Sequence, residues 1–163
     1  MAILVTGGTG YIGSHTCVEL IKAGYEPVIV DDLSNSKADV VDKIETITGK
    51  RPKFYQAGVQ DADAMRKVFT ENKIDAVIHF AAFKAVGESV KFPLKYYRNN
   101  ISGTVSLCEI MNEFGCKRIV FSSSATVYGA PKSVPIREDF PLHTTNPYGS
   151  TKLMMEMILS DVA

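Results

Sequence analysis

Five short apolar runs alternate with longer stretches of helical period, and that alternation allows few folds. The runs lie at 3–6, 28–31, 53–56, 76–80 and 118–122. Ile119-Val120-Phe121 is apolar at successive positions, so both faces of such a strand call for cover. That is the pattern of parallel strands between layers of helices. The intervening stretches are 11–23, 38–48, 62–72, 93–114 and 147–162. The third carries Met65, Val68 and Phe69 at i, i+3 and i+4, and Pro93 suits the first position of the fourth. Strand–helix alternation of this kind predicts an α/β fold, a doubly wound parallel sheet of about five strands with right-handed crossovers.

With 163 residues the chain supports one domain with a real core, read here as 1–163. Lys plus Arg number 18 and Asp plus Glu 18, so no basic face for nucleic acid is implied. No apolar run reaches the roughly 20 residues of a membrane helix, and residues 2–5 are too short for a signal-peptide core. Cys17, Cys108 and Cys116 show neither pairing nor metal-ligand spacing, which suits reduced thiols of a cytoplasmic protein.

The first run leads directly into Gly7-Gly8-Thr9-Gly10-Tyr11-Ile12-Gly13, which opens the first helical stretch. Glycines alone can mean no more than a tight turn. Placed between a strand and a helix, Gly7, Gly10 and Gly13 let backbone N–H groups approach a pyrophosphate at the positive end of the helix. This context makes the sheet Rossmann-type and the ligand a dinucleotide. Asp31 ends the second run, 18 residues beyond Gly13. An acidic side chain there can accept the adenosine ribose hydroxyls and repel a 2′-phosphate, favouring NAD over NADP. An aspartate at this point can also cap a turn, a role that Asp32 suits better, and Lys37 is a possible partner for a 2′-phosphate.

Tyr148 and Lys152 lie four apart on the last helical stretch, hence on one face. A tyrosine with a pKa of about 10 is a poor base at neutral pH, and a nearby ammonium stabilises the phenolate. Ser122-Ser123-Ser124 closes the fifth run. Ser124 is the candidate to hydrogen-bond a substrate hydroxyl, while Ser122 and Ser123 can be spent on backbone at the strand end. Residues 123–146, punctuated by Pro131, Pro135 and Pro141, form the longest irregular stretch, well placed to wrap a ligand. His15 and His79 read as structural and His143 as a loop residue, and no metal site is expected.

These residues resemble the extended short-chain dehydrogenase/reductase family and, within it, the UDP-galactose 4-epimerase branch. The similarity runs through G-G-T-G-Y-I-G-S-H-T, D-D-L-S-N-S, H-F-A-A-F-K-A-V-G-E-S-V, Y-Y-R-N-N, F-S-S-S-A-T-V-Y-G and N-P-Y-G-S-T-K. K-A-V-G-E-S is the most specific of these segments. Related nucleotide-sugar dehydratases place an acidic pair after the serine equivalent to Ser124, where this chain has Ala125 and Thr126.

The resemblance implies tightly held NAD and reversible oxidation at C4 of a UDP-hexose, UDP-galactose or UDP-glucose. It assigns proton transfer to Tyr148 with Lys152 and Ser124, and sugar contacts to Lys84, Ser124 and Tyr148. It implies NAD contacts from Gly7, Gly10, Tyr11, Ile12, Gly13, Asp31, Asp32, Leu33, Asn35 and Ser36. The others are Gly58, Val59, Phe80, Ala81, Ala82, Lys84, Asn99, Ser122, Tyr148 and Lys152. A homodimer is implied through the helices 93–114 and 147–162, with Leu94, Tyr97, Ile101, Val105, Cys108, Leu153, Met154, Met157 and Ile158 as its apolar surface. Met155 and Leu159 extend that stripe.

The chain departs from the family at several points. Asp32 replaces the usual Asn, Ala82 a common Gly, and Gly58 an Asp that contacts the adenine amino group. Pro27 removes a ladder donor, which a strand tolerates at its first residue. Family members run to about twice this length, so 118–122 becomes an apolar sheet edge. The chain therefore reads as a shortened or partial product, or one piece of a split enzyme. Two alternatives stand beside the epimerase: another nucleotide-sugar epimerase or reductase, and a non-catalytic NAD-binding, dimerising module.

Overall fold

Residues Ala2–Thr6 form a strand, β1, whose side chains alternate between two separate cores. Leu4 enters one with Val28, Val30 and Val77, while Ile3 and Val5 enter the other with Ile29. The computed structural model describes residues 1–163. In chain order the further elements are Tyr11–Lys22 (α1), Glu26–Asp31 (β2), Val40–Thr48 (α2), Lys53–Gln56 (β3), Ala62–Glu71 (α3) and Ile74–His79 (β4). They continue with Val86–Lys91 (α4), Pro93–Tyr96 (α5), a π-helical segment Tyr97–Ser102, and Gly103–Glu113 (α6). Last come Ile119–Phe121 (β5), a 3₁₀ turn Ala125–Tyr128, and Pro147–Asp161 (α7). No helix is long and apolar enough to cross a membrane.

The chain divides into two compact units, residues 1–81 with 106–122, and residues 82–105 with 123–163. The first holds a parallel sheet in the order β3-β2-β1-β4-β5. One face packs Cys17, Val18 and Ile21 of α1 and Ile44 of α2. The opposite face packs Met65, Val68 and Phe69 of α3 with Leu107, Ile110 and Met111 of α6. The expected doubly wound Rossmann-type sheet is thus what forms, and the i, i+3, i+4 stripe of α3 is its buried face. Each fully buried aliphatic side chain of this kind contributes roughly 1.5–3 kcal/mol. Asp61 caps α3 by accepting the Ala64 N–H at 3.0 Å, and Gly49 closes α2 in a left-handed conformation.

Several expected boundaries move. β4 begins at Ile74, two residues before the predicted start. Pro27 is the second residue of β2, not the first, yet it interrupts no ladder. Glu26 donates to Met1, so the next residue faces the β3 side, where pairing begins only at Val28 with Lys53. β5 pairs with β4 alone and forms the expected edge. The cover expected on both faces is present on one: Ile119 packs against the core, while Val120 is 64 % exposed.

The second unit differs more from expectation. The single helix over 93–114 is three segments, α5, the π turn and α6, and α4 precedes them unpredicted. The wide turn has a visible cause at Asn100, which is fully buried. Its side chain accepts the Phe83 N–H at 2.9 Å and donates to the Phe83 carbonyl at 3.0 Å, as a neighbouring strand would. Its amide also donates to Thr151 Oγ1 at 3.0 Å. Such π turns accommodate local side-chain demands inside helices. Met155 does not extend an outer stripe of α7: it is fully buried beside Thr104.

Candidate functional site

In the first unit, the ends of the five strands gather the glycine turn and its neighbours. Gly7 has φ +69°, and a Cβ there would stand 2.9 Å from the Ala81 nitrogen. A Cβ on Gly13 would stand 2.3 Å from the Gly7 carbonyl oxygen. Only glycine permits both approaches. Gly10 is the N-cap of α1, with no side-chain cap, and Tyr11 and Ile12 are exposed on its first turn. The arrangement leaves the helix's positive end open to an anion. The strand order reverses between β2-β1 and β4-β5, and the carboxyl ends at such a point form the usual ligand crevice of open α/β sheets.

Asp31 is buried at the end of β2 and already carries three hydrogen bonds. It accepts the Thr9 N–H at 3.1 Å, the Leu33 N–H at 2.9 Å and the Ser36 hydroxyl at 2.9 Å. Ser36 also shares a 2.7 Å hydrogen bond with Thr9 Oγ1. Asp31 therefore ties the glycine turn to the loop after β2, a role the sequence does not announce. A carboxylate has about four lone-pair directions, so acceptor capacity remains for a ligand hydroxyl. Leu33 takes φ +61°, held by the bond to Asp31. Asp32 and Asn35 are exposed. Asp32 accepts the Ser34 N–H at 2.9 Å, the turn role read for it.

Gly58 and Val59 follow β3 beside Asp31, whose carbonyl accepts the Ala57 N–H at 3.2 Å. Val59 is buried, and Gly58 lies against the Gln60 side chain. Phe80 and Ala81 continue β4, with Phe80 donating to the Thr6 carbonyl at 3.1 Å. His79 is a core residue, its Nδ1 2.7 Å from Thr6 Oγ1. Ser122 N–H donates to the His79 carbonyl at 3.2 Å and so prolongs the β4–β5 ladder.

In the second unit, Asn146 caps α7 through the Gly149 N–H at 2.8 Å, and Pro147 supplies the first helical position. Tyr148 and Lys152 follow one turn apart, both buried. Burial pushes the Lys152 ammonium down from 10.5 to about 8, opposed by the Glu156 carboxylate one turn further. Ser124 is the N-cap of the 3₁₀ turn, its oxygen accepting the Thr126 N–H at 3.2 Å and hydroxyl at 2.9 Å. With two bonds accepted, its own proton stays available to donate. The turn is seated on α7, because a Cβ on Gly149 would lie 2.9 Å from the Thr126 carbonyl. Ser123 is not spent on backbone: its hydroxyl donates to Glu156. Lys84 is exposed, Ala82 half-buried, and Asn99 donates to Asn100 Oδ1 at 3.0 Å.

Thr9, Ser89, Asn100 and Glu156 were missed by the sequence reading. Of these, Thr9, Ser89 and Asn100 carried a signal, their places in G-G-T-G-Y-I-G, K-A-V-G-E-S and Y-Y-R-N-N, and Glu156 carried none. Chemically, the first unit offers an anion cradle with an adjacent carboxylate. The second offers a phenol, an ammonium and a hydroxyl donor.

Comparison with known proteins adds a family, two relatives and a solved structure. The family model described as GDP-mannose 4,6 dehydratase matches residues 4–163. The chain is similar to UDP-glucose 4-epimerase of Bacillus subtilis, 64 % identical over 162 residues, covering 99 % of this chain and 48 % of that protein. It is also similar to the Dictyostelium discoideum UDP-glucose 4-epimerase, 58 % identical over 98 % of this chain and 46 % of the relative. Among solved structures, UDP-glucose 4-epimerase from Bifidobacterium longum, in complex with NAD+ and UDP, superposes with a TM-score of 0.98 at 51 % identity. That match covers 99 % of this chain and 49 % of the other. The chain spans about half the length of the curated relatives it matches.

The lowered Lys152 value makes folding pH-dependent. Below pH 8 the ammonium is charged in both states, and its desolvation opposes folding in full. From pH 8 to 10.5 the folded chain sheds this proton while the unfolded chain keeps it, so stability rises with pH. Lys152→Met removes that slope. In urea melts across this window, the excess stability of the Met variant should shrink by up to about 3 kcal/mol. A difference that stays constant with pH would show that the buried lysine carries its charge without penalty.

Proposed function

Because the chain belongs to the GDP-mannose 4,6 dehydratase family, we propose that residues 1–163 form the NAD-binding, catalytic part of a UDP-glucose/UDP-galactose 4-epimerase. One observation carries the reading: Tyr148 and Lys152 are buried one turn apart on α7, with the Ser124 turn seated on the same helix. The names of the similar proteins support it. So does the absence of an acidic pair after Ser124, where Ala125 and Thr126 stand, which disfavours dehydration.

The residues present fit NAD. Gly7, Gly10 and Gly13 make a cradle that a Cβ would fill, and α1 offers its pyrophosphate an uncapped N-terminus. Asp31 is the acceptor for adenosine ribose hydroxyls. NAD supplies a reversible hydride acceptor for C4. Tyr148 takes the 4-hydroxyl proton and returns it, Lys152 stabilises the phenolate, and Ser124 donates its free proton to the sugar oxygen. Lys84 and Asn99 complete the cofactor contacts. Three unpaired cysteines suit a cytoplasmic protein.

Fluorescence titration should find NAD(H) bound more tightly than NADP(H). A Cβ at Gly58 meets only the end of the flexible Gln60 side chain, at 2.7 Å, so Gly58→Asp fits and should tighten NAD binding several-fold. NADP(H) binding as well as NAD(H) would sink the cofactor assignment.

The chain alone should not interconvert the two UDP-hexoses at a measurable rate. Holding the sugar in reactive geometry is worth up to roughly 7–11 kcal/mol of barrier, and the chain spans half its relatives' length. Turnover should appear on mixing with the separately expressed remaining half of an epimerase, and Tyr148→Phe should abolish it while NAD stays bound. A mixture that binds NAD but never turns over would favour the second reading, a non-catalytic NAD-binding module.

A homodimer through helices 93–114 and 147–162 follows from the apolar surface left on both. Leu94 is 80 % exposed and Met157 60 %, with Val105 and Met154 also exposed. Light scattering at micromolar concentration should report a dimer; a clean monomer would refute it.

A further inference from the structure

K-A-V-G-E-S is the most specific segment of the sequence, and the proposed chemistry uses only its lysine. In the second unit its remaining residues fold as the start of α4, a helix of six residues. Helices this short do not persist on their own. A buried phenol holds this one. Tyr96 is fully buried, and its Oη lies 3.1 Å from the Ala85 nitrogen and 2.9 Å from the Ala85 oxygen. The same Oη lies 2.7 Å from Glu88 Oε2, and Glu88 Oε1 accepts from Lys95 Nζ at 2.7 Å. Ala85, the N-cap of α4, and Glu88 in its first turn are thereby fixed to α5.

The product of this bracing is the position of one oxygen. Ser89 is fully buried. Its hydroxyl donates to the Val86 carbonyl at 2.6 Å, so its lone pairs point away from α4. One of them accepts the backbone N–H of Tyr148 at 3.1 Å. That donor needs an outside partner. The first N–H groups of a helix have no intrahelical acceptor. In α7, Pro147 has none to offer, Gly149 is capped by Asn146 Oδ1, and Ser150 reaches the Asn146 carbonyl at 3.0 Å. Tyr148 is the one donor that local capping leaves over.

We propose that Ser89 is a positioning residue for Tyr148, its buried hydroxyl fixing the backbone from which the phenol projects. K-A-V-G-E-S is then a brace for the tyrosine helix as well as the carrier of Lys84. The inference rests on the reading of Tyr148 as the base only for its consequence in catalysis.

The test uses this chain, two disruptive variants, Ser89→Ala and the similarly sized Ser89→Cys, whose sulfur is a weak acceptor, and Ser89→Thr as the restoring one. Residue-resolved hydrogen exchange reads the Tyr148 amide relative to the Met155 amide in the buried part of the same helix. NMR of ring-labelled tyrosine reads the setting of the phenol ring. Both variants should speed relative exchange at Tyr148 by about tenfold or more. Both should also shift the Tyr148 ring resonances, because the backbone from which the ring projects is no longer fixed. Ser89→Thr, which keeps the oxygen, should restore both. If Ser89→Ala does not fold, the Thr and Cys pair still separates the hydroxyl from the volume. Unchanged relative exchange would overturn the proposal. So would faster exchange with an unmoved phenol, which would make Ser89 a helix cap and no more. Turnover surviving Tyr148→Phe in the mixed halves would refute the base assignment instead, leaving both NMR results standing.

Discussion

Backbone packed directly on backbone at the end of β1 governs the first unit. With Gly7 against Ala81 and Gly13 against Gly7, α1 begins immediately over the turn, with no side chain between helix and sheet. This closeness leaves the helix N-terminus bare at the strand ends, the geometry an anionic ligand needs. It also brings Thr9 within reach of Asp31, so the carboxylate holds the turn from β2 while Gly7 donates to the Val30 carbonyl at 2.8 Å. A side chain at either glycine would part these layers and dismantle the cradle and the acidic site together.

The second unit relies chiefly on polar groups that are buried and satisfied. In neither unit does a buried side-chain nitrogen or oxygen lack a hydrogen-bond partner. Asn100 holds Phe83 and Thr151; Thr151 in turn donates to the Tyr148 carbonyl at 2.7 Å; Ser89 accepts from the Tyr148 amide. The tyrosine's backbone is therefore gripped at both its carbonyl and its amide. Buried polar networks specify a single arrangement when complete and are costly when broken. That property fixes the backbone of Tyr148 and, one turn on, of Lys152.

How much of this was legible depended on whether the cause was local. The glycine spacing, the α3 stripe and the Tyr148–Lys152 pair are local sequence features, and the parallel sheet followed from the alternation of strands and helices. α4 was not legible, since Val86–Lys91 is too short for periodicity and includes Gly87; its stability comes from Tyr96, outside the segment. The π turn likewise arises from a bond between Asn100 and Phe83, 17 residues apart. Met155 looked like surplus surface because its partner Thr104 lies 51 residues away. Asp31 was legible as an acceptor but not as a tie between loops, because Thr9 and Ser36 become its neighbours only in the fold.

The serine cluster shows how one short segment divides its work. Ser122 extends the β4–β5 ladder, Ser123 engages Glu156, and Ser124 caps the 3₁₀ turn with its proton still free. Glu156 stands four residues after Lys152, as Lys152 stands four after Tyr148, so the three share one face of α7. Desolvation weakens Lys152 as a cation and brings the loss of its proton down to about pH 8. Glu156 acts against this by favouring the charged form. Its carboxylate is in turn held by the hydroxyl of Ser123, the immediate neighbour of Ser124. One contact thus anchors the serine segment to α7 and holds the carboxylate that supports the charge of Lys152.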